Sequence, residues 1–342
     1  MNNVIDLDNT YNRFNNNATL LLKNRISNLY LSDNIFITNS GLHSNSLSIY
    51  ILIMKYKKIN IIYPDNLYYE NYNIIKYFNK HYDINIIEFK LLDDNDNILN
   101  IFNDNKDYYN ILFIESCSNP FSFIFNFDLI PLIKNISNNN FIICDNTWLS
   151  INIFNPLIID IDIVTISLTK YYSGNEGILG AIILKNNYLN DDINEYLKII
   201  GIHNNPTHIN NIINSISFMN TRMKKISFLT KKIINYLNKF NIYIVHPFLL
   251  NHISYDIAIK YFDYKIYPST FLIEINKTIE DINIILKKIT IFDISTSFGG
   301  NLTKIDKNIF TKNDKNYIRI SIGYDDSYSK LIYGFNELIF TM

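Results

Sequence analysis

Short runs rich in Ile, Val and Phe recur along this chain, with segments of helical period and length between several of them. That alternation is what most narrows the choice of fold. The runs DNIFITNS, INIIYP, YNILFIES, NFIICDN, DIVTISLT and GAIILKN are close to continuously apolar, as expected of strands buried on both faces. GLHSNSLSIYILIMKYKK and FDLIPLIKNISNN fill gaps between them. The pattern predicts an α/β domain with a mostly parallel sheet. Ligands of such sheets bind outside the carboxyl ends of the strands, and the predicted ends carry Ser40-Gly41, Glu115-Ser116, Asp145-Asn146 and Thr169-Lys170. From about residue 210 the pattern changes to long helical stretches, then STFLIEIN, NYIRISIG and a last helix near DDSYSKLIYGFNELIF. This reads as a smaller α+β domain. The expected division is a short arm over 1–14, a large domain over 15–212 and a small domain over 213–342.

Bulk properties exclude several functions. Hydrophobic residues make up 48% of the 342 and charged residues 18%, a composition that folds rather than stays disordered. A net charge of -1 gives no electrostatic case for nucleic acid or an anionic membrane. No run of about 18 residues is apolar and free of charge, so no membrane span is expected. The N-terminus lacks the basic and apolar regions of a secretory signal. Cys117 and Cys144 form no disulfide framework and have no CxxC partner, and His43, His81, His203, His208, His246 and His252 show no metal spacing. A cytoplasmic, reducing location and no metal are the expectation.

Glycine is scarce: 9 residues, where ordinary usage would supply roughly 24. Codon choice in an AT-rich coding sequence accounts for such a bias, and a glycine kept against it marks a backbone need. Three of them, Gly174, Gly177 and Gly180, follow Lys170. A lysine ending a buried strand is costly unless it is paired, exposed or covalently used. Lys170 is therefore either an ordinary loop lysine or one that forms a Schiff base. Asp145, at the end of the preceding strand, is either a helix cap or a carboxylate set against a pyridinium nitrogen. Together the two favour the chemical reading.

The segment CDNTWLSINIFNPLIIDIDIVTISLTKYYSGNEGILGA resembles the cofactor-binding core of the Cys/Met-metabolism family of pyridoxal-phosphate enzymes, with its DNT-aromatic, S-x-T-K-Y and glycine pattern. The resemblance runs in order along nearly the whole chain. It implies a fold-type-I, aspartate-aminotransferase-like α/β architecture, pyridoxal 5'-phosphate as cofactor and Lys170 as the lysine that carries it. Asp145 would face the pyridinium nitrogen, with Ser167 and Thr169 as further cofactor contacts. YNRF resembles the Y-x-R element by which a neighbouring subunit reaches the phosphate, which implies Tyr11 and Arg13. NSGLHSNS resembles the phosphate-binding turn, with Gly41 and Leu42 supplying amides. DNLYYENY is similar to D-x-L-Y-G-G-T, which makes Tyr68 the ring-stacking and proton-transfer tyrosine, with Tyr69 its competitor. ESCSNP resembles E-S-P-T-N-P and implies Asn119 as a contact of the cofactor's phenolic oxygen. STSFGGN and YIRISIGYDD resemble the S-L-G-G and R-L-S-x-G-x-E-D elements, so Ser297 and Arg319 are the expected substrate contacts, Arg319 gripping the α-carboxylate.

Departures from the pattern are also present. Gly174-Asn175-Glu176-Gly177 stands in place of G-H-S-D, and Asn301-Leu302-Thr303 in place of the end of the S-L-G-G-x-E-S element. Most of the family's N-terminal arm is expected to be missing. Trp148 and Phe298 are more like bacterial cystathionine β-lyases than the γ-enzymes, while Thr296 matches neither the Tyr nor the Glu that separates subtypes. The expected reaction is β-elimination of L-cystathionine to homocysteine, pyruvate and ammonia in methionine biosynthesis. γ-Elimination or replacement, sulfhydrylation and a non-catalytic relic are the alternatives. Homo-oligomers sharing active sites, tetramers in this family, are the expected assembly, with a small amino acid as the other partner and neither nucleic acid nor membrane.

Overall fold

The computed structural model describes residues 16–341. After the first helix, α1 (Asn17–Tyr30), the chain alternates as the apolar runs demand: β1 (Ile35–Thr38), α2 (Gly41–Lys55), β2 (Ile59–Pro64), α3 (Tyr69–His81), β3 (Ile84–Phe89), α4 (Asn95–Asp104), β4 (Tyr109–Glu115), α5 (Leu129–Ile136) and β5 (Asn140–Asp145). Then β6 (Ile163–Ser167) and β7 (Gly180–Leu184) follow with no α-helix between them, and β7 accordingly runs antiparallel to β6. The seven-stranded sheet has the order β1-β7-β6-β5-β4-β2-β3. Pairs β2–β3, β2–β4, β4–β5 and β5–β6 are parallel, while β7 is antiparallel to both its neighbours.

Alternate residues of each strand enter opposite cores, as the period of two requires. Ile37, Leu112, Ile114, Ile142, Val164 and Ile166 pack with α1, α4 and α5 on one face. Phe36, Ile111, Phe113, Ile143, Ile163 and Ile182 pack with α2 and α3 on the other. Burial on both faces explains why these strands read as continuous apolar runs. At the amino ends of the central strands the side chains of Asn85, Asn60, Asn110 and Asn140 donate in series from strand to strand, at 3.1, 2.9 and 2.8 Å.

Beyond α6 (Asn190–Ile199), α7 (Pro206–Ile216) and α8 (Met219–Asn238) lead into a second sheet. It is formed by β8 (Ile244–Val245), β9 (Thr270–Ile275), β10 (Asp293–Ile294), β11 (Lys304–Lys312) and β12 (Lys315–Ser321), in the order β10-β11-β12-β9-β8. Helices α9 (Tyr255–Tyr261), α10 (Ile279–Lys288) and α11 (Tyr328–Thr341) complete this part. Its core joins Leu229, Ile233 and Leu237 to Phe271, Ile273, Ile318, Ile320 and Phe335. We propose a division of the chain near residue 212. That position lies within α7, whose Ile209, Ile212 and Ile213 still pack with the large sheet.

Candidate active site

Four strands of the large sheet end at one edge. Thr38, Glu115, Asp145 and Ser167 close β1, β4, β5 and β6, and the small sheet faces them across a cavity of about 590 Å³, within the range of small-ligand sites. The cavity brings together every expected site residue that falls among the described ones: Gly41, Leu42, Tyr68, Asn119, Asp145, Ser167, Thr169, Lys170, Ser297 and Arg319 all line it. Tyr11 and Arg13 lie outside the described residues.

Lys170 does not end a strand as the sequence pattern suggests. β6 stops at Ser167, and Lys170 stands in the turn that follows, its carbonyl accepting from the amide of Gly174 at 2.8 Å. The α8 residue Arg222 holds that turn from outside, donating to the carbonyls of Tyr171 and Tyr172 at 2.9 Å each. Lys170 Nζ donates to Ser297 Oγ at 2.8 Å and lies 5.3 Å from the centre of the Phe298 ring. Burial, then the charges of Arg319 and Lys304, lower the amine to about 8. Ser297 itself has φ of 102°, a region of backbone strain for a non-glycine residue. Gly299 follows because a Cβ there would lie 2.9 Å from the amide nitrogen of Tyr171.

The opposite wall is built by helix starts. Ser40 caps α2, its side chain accepting from the amide of His43, and the helix's first turn leaves the amides of Gly41 and Leu42 without intrahelical partners. A Cβ on Gly41 would stand 2.6 Å from that of Ser167, so the glycine lets the helix end approach the end of β6. Asp145 accepts from the Asn45 side chain at 2.7 Å and from the amide of Thr147 at 2.9 Å. Asn45 also donates to Asn71, which donates in turn to Glu115 at 2.9 Å. Burial, then the neighbouring Asp145, push Glu115 up to about 8. Of the two candidate tyrosines, both line the cavity. The phenol of Tyr68 is raised by burial and feels Glu70, Arg319, Glu115 and Asp145, whereas Tyr69 is 68% exposed.

These features fit pyridoxal phosphate. Two open amides and the Ser167 and Thr169 hydroxyls would take a phosphate, Asp145 a protonated ring nitrogen, and Lys170 the aldehyde carbon. The indole N–H of Trp148, which lines the same cavity, is buried without an acceptor among the described residues. Sequence reasoning missed Asn45, Asn71, Arg222 and Asp306. The first two stand in helix starts already rich in polar residues, His43-Ser44-Asn45-Ser46 and Glu70-Asn71, so nothing local set them apart. Arg222, just before the Lys-rich part of α8, left no signal.

A buried lysine and a carboxylate at the carboxyl edge of a mostly parallel sheet, faced by a C-terminal part that brings an arginine to the same cavity, accord with the architecture of a fold-type-I pyridoxal-phosphate enzyme. More narrowly, the chain belongs to the Cys/Met metabolism PLP-dependent enzyme family, whose sequence model matches residues 3–336. An L-methionine gamma-lyase from Fusobacterium nucleatum subsp. polymorphum is 23% identical over 305 residues, covering 86% of this chain and 74% of the relative. A cystathionine beta-lyase from Neurospora crassa is 28% identical over 149 residues, covering 43% and 33%. In structure, a cystathionine gamma-lyase from Lactobacillus plantarum solved with L-serine superposes with a TM-score of 0.84 at 18% identity, covering 100% of this chain and 91% of that one. The comparisons support a pyridoxal-phosphate-dependent carbon–sulfur lyase. No helix among the described residues is long and apolar enough to cross a membrane.

Proposed function

We propose that the chain catalyses β-elimination of L-cystathionine to homocysteine, pyruvate and ammonia, in the cytoplasm and as a homo-oligomer. The observation that carries the reading is the convergence of Lys170, Arg319 and Asp145 in one cavity. Arg319 would orient the substrate by its α-carboxylate, leaving the Cα–H within reach of the Lys170 amine. Pyridoxal phosphate, when bound, draws electron density from Cα and makes its proton removable. Lys170, lowered to about 8 by burial and like charges, holds a far larger neutral fraction at neutral pH than an ordinary lysine and can take that proton. Asp145 would hold a proton on the ring nitrogen, its orientation set by Asn45 and Thr147. Tyr68 would stack on the ring. The Cβ–S bond then breaks, and the sulfur leaves as a thiol with a proton returned from Lys170. Hydrolysis of the remaining three-carbon unit yields the keto acid and ammonia.

The Trp148–Phe298 ring pair, centroids 5.0 Å apart beside Lys170, supports the β-lyase branch. γ-Elimination from L-methionine is the second reading, favoured by the Fusobacterium relative, which aligns with 86% of the chain. The test is to load purified protein with pyridoxal phosphate, supply L-cystathionine or L-methionine, and identify the keto acid. Pyruvate from cystathionine, lost in Lys170→Ala, supports the β-lyase. 2-Oxobutyrate from either substrate would move the assignment to a γ-enzyme.

A further inference from the structure

Arg319 finds its counter-charge inside the protein. It lies in β12 and is 5% exposed. Nη1 donates to Asn119 Oδ1 at 2.7 Å, and Nη2 to the carboxylate of Asp306. Asp306 is itself 3% exposed. Its other oxygen accepts from the amide and the side chain of Asn308, at 2.9 and 3.0 Å. A break in the β11–β12 ladder puts the acid there. Ile305 pairs with Ile320 and Ile309 with Ile318, so residues 306 to 308 of β11 face Arg319 alone. Bulges of this kind re-aim side chains, and here Asp306 and Asn308 both line the cavity.

We infer that Asp306 is a specificity-determining residue that makes the Arg319 subsite select zwitterionic amino acids over simple carboxylates. The inference rests on the reading of Arg319 as the contact for the substrate α-carboxylate. A guanidinium has five N–H donors, and the two bonds to Asn119 and Asp306 leave three for a ligand. Asp306 cancels the long-range attraction of the guanidinium without removing those donors. A ligand carboxylate therefore gains hydrogen bonds but meets a like charge beside it. An ammonium on the adjacent carbon offsets that repulsion, and a keto acid or an aliphatic acid has none. The consequence suits an enzyme that consumes an amino acid and yields a keto acid, because the product is held less firmly than the substrate.

L-Alanine and propionate differ by the amino group alone and form the matched pair for the test. In the holoenzyme, L-alanine binding is read from the cofactor's absorption spectrum and propionate from its displacement of L-alanine. In Asp306→Asn, propionate should bind at least tenfold more tightly and L-alanine less than threefold more tightly; Asp306→Ala, which removes the charge without an amide, should change the ratio the same way. A ratio that stays at the parent value in both variants overturns the inference. The Arg319→Leu/Asp306→Leu double variant leaves no unpaired charge and separates the two levels. Loss of both ligands in it, with an unchanged ratio in the Asp306 variants, refutes the role of Asp306 alone. Retention of both at parent affinity would show that Arg319 is not the carboxylate contact, and the underlying reading would fall with it.

Discussion

Replacing Glu115 by Gln should stabilise the cofactor-free protein, and increasingly so as the pH rises. Glu115 ends β4 with its carboxyl accepting from the amide of Tyr68 at 2.7 Å and from Asn71 at 2.9 Å. Asp145 is its register partner on β5. Burial and that neighbour lift it from 4.5 to about 8. Between these values the folded protein keeps a proton that the unfolded chain has lost, so stability falls as pH climbs from about 4.5 to about 8. At 1.36 kcal/mol per unit the gap corresponds to roughly 5 kcal/mol. Glu115 also lines the cavity, where water screens part of the effect, and about 2–3 kcal/mol is the expected size. Gln keeps an acceptor for Tyr68 and Asn71 and never ionises. Urea unfolding of both proteins at several pH values gives the difference in free energy directly. It should be small near about pH 5 and reach the full figure near about pH 8. A difference that stays constant over this range would refute the raised carboxyl.

Two further outcomes follow from the same geometry. The rate at which the apoprotein takes up pyridoxal phosphate, followed by absorbance, should rise with pH and level off above about 8, because the neutral Lys170 amine is the nucleophile. A rate still climbing at about pH 10, where an ordinary lysine titrates, would contradict this. Gly180→Ala should cost about 2–4 kcal/mol and weaken cofactor binding, since the new Cβ would lie 2.2 Å from the Ser40 carbonyl oxygen, which is backbone and cannot turn aside. Gly201→Ala, in open space at φ +70°, should cost only the backbone strain of about 1–2 kcal/mol; equal losses in the two variants would show that the Ser40 contact does not matter.

The strands that position the site were legible because burial on both faces leaves an unbroken apolar run. β3 was not. As an edge strand it buries Ile84 and Phe89 and leaves Asn85 and Glu88 exposed, which breaks the run. β11 was hidden for a related reason: its sequence KIDKNIFTK fully buries only Ile305 and Asp306. Site residues at strand ends were readable because the edge of a parallel sheet is where polar groups are tolerated. Asp306 was not, because its orientation depends on a break in strand register that no local pattern announces. The glycines were informative for the reason given by their scarcity: those at 41, 180 and 299 each sit where backbone or a Cβ leaves no room for a side chain.

Asparagine shows the opposite case, an abundant residue whose placement matters. Asparagine favours turns because its side chain bonds its own backbone, yet Asn60, Asn110 and Asn140 are buried in adjacent strands. Strands apolar on both faces have a weakness, since a slip of one residue exchanges one isoleucine for another and costs little in burial. The buried amides remove that freedom. In register each side chain finds its neighbour, and the last donates to the carbonyl of Ile133 at 2.7 Å. Out of register they would be left unpaired in an apolar layer, which is far more costly than misplaced methyl groups. Asn110 pairs with Asn140 five positions before Glu115 pairs with Asp145. The amide ladder at one edge of the sheet therefore sets the side-by-side placement of the two carboxylates at the other, and with it the field felt by anything bound between Asp145 and Lys170.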